Sequence, residues 1–291
     1  MQTVLIAGAT GYLGRYLVKA MKERGYRVRA LARNPESLAQ PGPHGSPSVR
    51  SYTDEVFKGE ATKPSTLEGA CDGVDAVISA IGITRQKDGA TYMDVDYEGN
   101  LNVLREAEAS ERTDRFMYIS VFKGGEIPGS LTAAKERFVR RLKQSELGHV
   151  VVRPTGYFSD MEDFLQMARK GRVYLFGTGD RKMNPIHGAD LAAFCAEGLA
   201  AGNAELPVGG PQMLTHRQIA GLAFRAAGKP ERIAAVPAWL IRPVIPVMKR
   251  LSPGNAGAFE FVYHVMTRDM AAPCYGSRDL AAYFKQAASA E

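Results

Sequence analysis

The chain has 291 residues, 45% hydrophobic and 23% charged, which is too apolar for a disordered chain and enough to bury one large core or a main domain with a smaller appendage. Its 37 Lys and Arg against 31 Asp and Glu leave a net charge of +6, but the densest basic cluster, Arg137 to Lys143, lies on one predicted helix with no aromatic platform or recognition motif, so it reads as a solvated face and no nucleic-acid partner is expected. Cys71, Cys195 and Cys274 are far apart and odd in number, as in a reducing compartment, the start of the chain has no signal-peptide pattern, and no apolar run reaches the roughly 18 residues of a spanning helix, so a cytoplasmic protein is the expectation.

Short apolar runs then alternate with helical patterns. TVLIAG is followed by YLGRYLVKAMKERG; YRVRALAR and EVFKGE come next; DAVISAIG precedes NLNVLREAEASE; RFMYISV precedes a helix to about Ser145; HVVVRPTG closes the series. Buried, continuous strands separated by helices predict an α/β fold with a doubly wound parallel sheet. Beyond Gly156 the alternation weakens into a Gly-rich stretch, a VYLFG strand, NPIHGADLAAFCAEGL and a Pro- and Ala-rich end. The expected division is a Rossmann nucleotide-binding domain over residues 1–154 and a smaller C-terminal substrate region over 155–291, partly interleaved with the first. Residues 40–50, QPGPHGSPSVR, hold three prolines and two glycines and predict a mobile surface loop.

The first strand breaks into Gly8, Gly11 and Gly14. A side chain at the first would obstruct a tight turn, at the second would keep the backbone off a pyrophosphate, and at the third would hold the helix off the sheet; the helix N-terminus then offers free N–H groups to phosphates. Strand, glycines and helix fall within one unit of about 30 residues, the context a dinucleotide site requires. The second strand ends at Arg33, where an NAD-specific site would carry Asp or Glu for the ribose hydroxyls; an arginine instead offers a planar fork to a 2′-phosphate, so NADPH is the expected cofactor. Arg15 could supply a second charge or point to solvent. The turn residues Thr10, Tyr12 and Leu13, then Glu60 and Ala61 after the third strand, and Ala80, Ile81 and Gly82 at the end of the fourth complete the expected cofactor wall, with Pro154, Thr155 and Gly156 after the sixth strand.

GATGYLG, Arg33, KGEATKPSTL, DAVISAIG, VDYEGNLNVL, AAKERFVRRLKQSEL, VVRPTGYFSDM and NPIHGADLA occur in an order that resembles atypical short-chain dehydrogenases/reductases, most closely the NmrA-like and isoflavone-reductase-like NAD(P)H-binding group. That group contains reductases and also proteins that only hold NADP(H). The wider superfamily carries Tyr-x-x-x-Lys, the tyrosine protonating the substrate oxygen and the lysine binding the nicotinamide ribose. Here the positions are Leu131 and Lys135: the lysine is kept and the tyrosine is leucine.

Spacing of four places Leu131 and Lys135 on one helical face, continued into the core by Phe138 and Leu142. A lysine on that stripe needs a partner, and a cofactor ribose or phosphate is the expected one. Ketone reduction leaves an alkoxide that forms badly without a nearby acid, whereas hydride addition to a conjugated C=C puts charge on a delocalised enolate that a lysine can stabilise. The resemblance implies the same, because isoflavone-reductase-like enzymes use a lysine here without the tyrosine. The expected function is NADPH-dependent reduction of a hydrophobic small molecule, an activated C=C or related electrophile rather than a simple ketone, with Lys135, Ser120 and Tyr157 as catalytic candidates; the alternative is a non-catalytic NADP(H)-binding sensor or assembly factor. Lys135 is expected to hold the ribose and assist protonation, Ser120 to donate to substrate oxygen or cap backbone, and Tyr157 to serve as acid or aromatic wall. His187 is expected to be structural, and no metal or hydrolase motif is present. Finally, residues 236–251 carry Trp239 and alternate bulky apolar side chains with Pro243 and Pro246, predicting ordinary packing, a lid over the cleft, or a peripheral membrane or protein contact with Arg242, Lys249 and Arg250 at its charged edge.

Overall fold

The computed structural model describes residues 1–83, 86 and 89–289. In chain order the elements are β1 (Thr3–Ala7), α1 (Tyr12–Glu23), β2 (Arg27–Ala32), β3 (Glu55–Lys58), β4 (Ala76–Ser79), α2 (Asn100–Ala109), β5 (Arg115–Ile119), α3 (Ser130–Leu142) and β6 (Gly148–Pro154). A wider helical turn, Met93–Gly99, leads directly into α2. Then come α4 (Glu162–Arg169), β7 (Val173–Phe176), β8 (Lys182–Met183), α5 (Gly188–Gly198), β9 (Ala204–Val208), β10 (Leu214–Thr215), α6 (His216–Ala227), β11 (Ile233–Val236), α7 (Ala238–Ile241), α8 (Val244–Leu251), α9 (Pro253–Met266) and α10 (Leu280–Ser289).

Seven strands form one parallel sheet in the order β3-β2-β1-β4-β5-β6-β9. Successive side chains of a strand point to opposite faces, and both faces of this sheet are covered, which is why its strands read as continuous apolar runs. Val4 and Ile6 of β1 enter the layer built with Leu17 and Val18 of α1 and Leu191 and Cys195 of α5. Leu5 and Ala7 enter the opposite layer, with Leu104 of α2 and Phe138 and Leu142 of α3. Each fully buried side chain of this size contributes about 1.5–3 kcal/mol. The strand order reverses at β1, so the crevice outside the C-terminal ends of β1 and β4 is the place where such a sheet binds ligands.

Later segments divide between this sheet and a second core. α5 and β9 complete the sheet, whereas Phe158, Phe164, Leu175, Phe224, Met270 and Phe284 belong to a separate cluster, bordered by the β7–β11 and β8–β10 pairs.

Residues 40–50 differ from the expected mobile loop. Arg15 is only 2% exposed and donates to the carbonyls of Thr10 (3.0 Å), Gln40 (2.6 Å), Pro47 (3.0 Å) and Ser37 (2.6 Å). Ser46 and Val49 are fully buried beneath the same segment, and Val49 N–H bonds Leu38 C=O. A guanidinium with its donors placed on four carbonyls staples the segment to α1. Arg15 therefore points neither to a phosphate nor to solvent.

Candidate active site

The glycine turn has the shape its spacing requires. Gly8 has φ +86°, a conformation side chains disfavour, and a Cβ there would lie 3.1 Å from the Ala80 backbone. A Cβ at Gly14 would lie 2.0 Å from Gly8 O, so this position lets α1 close on the strand. Gly11 is exposed, and its nearest contact would be Gly8 O at 3.4 Å, leaving its outer side open. No side chain caps α1. The turn thus fits a pyrophosphate: a helix N-terminus with unsatisfied N–H groups and an open glycine before it.

Thr10 and Tyr12 are half-exposed beside this turn, whereas Leu13 is 6% exposed and packs in the core. Only the backbone of Leu13 remains for a ligand. Tyr12 Oη accepts the Gly188 N–H (3.0 Å), tying α1 to the start of α5. Arg33 is exposed immediately after β2 and forms no hydrogen bond or ion pair with the described residues. Glu60 beyond β3 pairs with Lys63 at 2.8 Å; that bond, opposed by slight desolvation and aided by Thr62 and Arg33, holds its carboxyl below the usual range. Ala61 C=O accepts from Asn102 (2.9 Å). Ala80 N–H bonds Ala7 C=O, and Ile81 N–H bonds Ser79 Oγ, so the ends of β1 and β4 form one lip.

Gly82 carries this lip to Lys135. A Cβ at Gly82 would sit 2.7 Å from Asp96 Oδ1 and 3.0 Å from Lys135 Nζ. Lys135 Nζ and Asp96 Oδ1 are 2.9 Å apart, with side-chain exposures of 13% and 0%; the alignment is that of an ion pair rather than a directed hydrogen bond. Asp96 Oδ2 accepts the Ile83 N–H (3.2 Å). Tyr118 is fully buried, with its hydroxyl 3.4 Å from Lys135 Nζ. Burial pushes the Lys135 ammonium down, but the Asp96 charge, with Tyr118, outweighs burial and leaves it above its ordinary value. Burial likewise pushes the Tyr118 phenol up to about 12, against the pull of Lys135. Asp96 is the partner that the protein itself supplies to Lys135, and its charge favours the ammonium form.

Leu131, where the superfamily carries tyrosine, is 6% exposed and packs with Phe138 and Leu142 in the α3 layer. Tyr157 is half-buried and its ring stands 6.0 Å from that of Tyr12. Burial raises its phenol pKa, opposed by the nearby Lys135 charge; Tyr12 and Gly82 thus link the glycine turn, Tyr157 and Lys135 near the C-terminal ends of β1 and β4. The Asp160 carboxylate accepts the Tyr157 N–H (3.0 Å); desolvation, partly offset by that bond, pushes its carboxyl up to about 6.

Ser120 stands beside an ion pair. It is 4% exposed, its Oγ donates to Glu136 (3.4 Å) and accepts from Arg153 (3.5 Å), and Arg153 and Glu136 form a two-bond pair at 2.6 and 3.0 Å. Its hydroxyl sits at the edge of that network. Pro154 ends β6, Thr155 Oγ1 donates to Asn184 C=O (2.6 Å), and Gly156 has φ +148° with Met183 of the second core against its α-carbon. His187 caps α5 by accepting the Ala189 N–H (3.1 Å), and burial lowers its pKa to about 4, keeping it neutral. Sequence reasoning missed Asp96 and Tyr118. The signal was present for the first, an acid inside VDYEGNLNVL, but its depth is visible only in three dimensions.

A family profile described as NAD(P)H-binding matches residues 8–201. The chain is 29% identical to a divinyl chlorophyllide a 8-vinyl-reductase of Zea mays over 276 residues, covering 89% of this chain and 68% of that protein. It is 26% identical to the photosystem II assembly factor Ycf39 of Synechocystis sp. over 244 residues, covering 82% and 72%. Among solved structures, AtPrR2 with NADP+ and (+)pinoresinol shares the fold at a TM-score of 0.73 and 18% identity, covering 98% of each chain. The NADPH-dependent quinone oxidoreductase QOR2 of Escherichia coli, complexed with NADPH, does so at 0.71 and 16%, covering 99% of each.

Proposed function

Because the chain belongs to the NAD(P)H-binding family, we propose that it is an NADPH-dependent reductase of a hydrophobic small molecule, acting on an activated C=C or related electrophile rather than a simple ketone. The observation that carries this reading is the buried Lys135 ammonium, 2.9 Å from Asp96, at a site where residue 131 offers no phenol. When bound, NADPH supplies the hydride. The Gly8–Gly14 turn and the α1 N-terminus hold its pyrophosphate, and exposed Arg33 meets its 2′-phosphate. Lys135 contributes charge: a fixed ammonium in a mostly dry site stabilises the negative charge that develops on the conjugated oxygen of the substrate. Tyr157, kept protonated by burial, walls the pocket beside it. Water then protonates the enolate carbon and the hydroxide formed is neutralised by the solvent; delocalisation lets the hydride add before any proton arrives, whereas a ketone would have to form a high-energy localised alkoxide without an acid at position 131.

The relatives support both a reductase and an assembly role, and one experiment separates them. Anaerobic incubation with NADPH and a panel of enones, quinones and ketones, followed by loss of the reduced-nicotinamide absorbance, should show oxidation with the conjugated acceptors and little with ketones. Lys135→Met should lower turnover far more than NADPH affinity. Tight NADPH binding without turnover on any acceptor would overturn the reductase reading and leave a non-catalytic NADP(H)-binding protein.

A further inference from the structure

Helices α7 and α8 carry their apolar side chains outward. Trp239 is 72% exposed, Leu240 44%, Val244 39%, Val247 53% and Leu251 78%. In α8 only Ile245 is buried. Ile245 and Lys249, four residues apart, face α9, where Lys249 pairs with Glu260 at 2.8 Å. Val244, Val247 and Leu251 follow the i, i+3, i+7 spacing and so share the opposite face, turned away from the protein. This reverses the usual arrangement of a surface helix. Pro243 separates the two helices, and Trp239 and Leu240 of the preceding short helix are exposed as well.

The charged residues of this stretch of chain have one sign. From residue 232 to residue 259 the sequence holds Arg232, Arg242, Lys249 and Arg250 and not a single Asp or Glu. Arg242 and Arg250 are exposed. Arg242 and Lys249 also line a cavity of about 770 Å³ between α8 and α9, together with Arg268; its acid, Glu260, is the one tied to Lys249. An apolar helix face with tryptophan at one end and cations along its edges matches the chemistry of an anionic bilayer surface, whose acyl boundary takes the apolar side chains while its headgroups take the cations. No helix among the described residues is long and apolar enough to cross a membrane, so the contact is with the surface.

The position of this surface adds a consequence. The start of α9 lies against Gln86, a Cβ at Gly254 falling 3.2 Å from Gln86 O, and Gly257 packs closely on Tyr92 and Ser130. Gln86 follows Gly82, which flanks the Lys135–Asp96 pair. We infer that α7 and α8 dock the protein on an anionic bilayer, with the Lys135 end of the cleft beside the lipid, so that the substrate enters from the membrane. The docking stands on the exposed face alone; the source of the substrate rests on the reductase reading.

The test uses the full chain with phosphatidylcholine vesicles containing or lacking about one third phosphatidylglycerol, a fraction within the anionic range that attracts basic segments. Flotation should recover the protein with the anionic vesicles only, binding should weaken as salt rises, and the fluorescence of Trp239, the only tryptophan, should shift to the blue. Val247→Glu with Leu251→Glu should abolish the shift and weaken vesicle binding at least tenfold; Arg242→Glu with Arg250→Glu should weaken it similarly without changing the melting temperature. Turnover of a water-soluble enone should be the same in all variants. Absence of flotation and of a blue shift with anionic vesicles would overturn the docking, as would salt-insensitive binding to neutral vesicles or a dimer dissolved by Val247→Glu, which would assign the face to a second copy. Vesicle binding with no turnover would leave the docking intact and remove the reductase reading.

Discussion

Replacing Asp96 by Asn removes one charge and almost no volume from the centre of the cleft. At 2.9 Å and an effective dielectric of about 20, the lost attraction to Lys135 is roughly 6 kcal/mol. The protein can limit that loss by releasing the lysine proton, which at pH 7 costs about 5 kcal/mol from an ordinary value of 10.5. The asparagine oxygen recovers part of either sum, so the expected destabilisation is about 3 kcal/mol, in line with buried pairs that lose one partner. For a larger domain that is a fall of about 6–12 °C in melting temperature. The sign with pH follows from the two pKa shifts. In the native protein the Lys135 pKa is raised above its unfolded value, so its contribution is fully present below about 10.5 and is lost only as pH rises through the higher folded value. In the variant burial acts unopposed by Asp96 and lowers the folded pKa, so the penalty is largest near neutrality and shrinks toward pH 10. Thermal unfolding of both proteins at pH 6.5, 8 and 9.5 reads this directly, and the gap between them should narrow as pH rises. A gap that is absent, or constant across the series, would refute the assignment of Asp96 as the group that holds Lys135 charged.

Arg33→Ala should weaken NADPH by about 10- to 100-fold, the worth of a charge-assisted contact of roughly 1.5–3 kcal/mol, and leave NADH nearly unchanged; calorimetric titration of both cofactors decides it, and equal losses would remove Arg33 from the 2′-phosphate. Arg15→Ala strands the carbonyls of Ser37, Gln40 and Pro47 and should cost about 2–4 kcal/mol, with new proteolytic cleavage between residues 37 and 47; an unchanged melting temperature and digestion pattern would contradict the staple. Tyr157→Phe keeps the aromatic wall and should lower turnover less than tenfold, whereas a loss of about 10²-fold or more would make the phenol the proton donor.

Much of the site was legible because it depends on local backbone geometry. A strand that must turn into a helix over phosphates needs glycine at fixed intervals, and Gly8, Gly11 and Gly14 occupy a turn whose positive φ and close packing are set within a few residues of chain. The exposed place of Arg33 just beyond β2 was equally accessible, since it follows from where that strand ends. The surroundings of Ser120 were not. A serine at a strand end reads the same whether it meets substrate or an ion pair, and the Arg153–Glu136 pair that engages it comes from two other elements.

Periodicity, glycine spacing and the identity of a single residue were enough to read the parallel sheet, the nucleotide turn and the leucine at position 131 where the superfamily carries tyrosine. What surrounds Lys135 emerged only when the chain was folded. Asp96 approaches it from the helical turn before α2, Tyr118 from β5 and Tyr157 from the chain beyond β6, three segments that are distant along the chain. Folding also decided which way α8 faces, since amphipathic spacing gives a helix two sides and leaves open which is turned to the protein; packing of Ile245 and Lys249 against α9 turned the apolar one outward. Electrostatic strength depends on distance and on exclusion of water, and neither is a property of the linear chain.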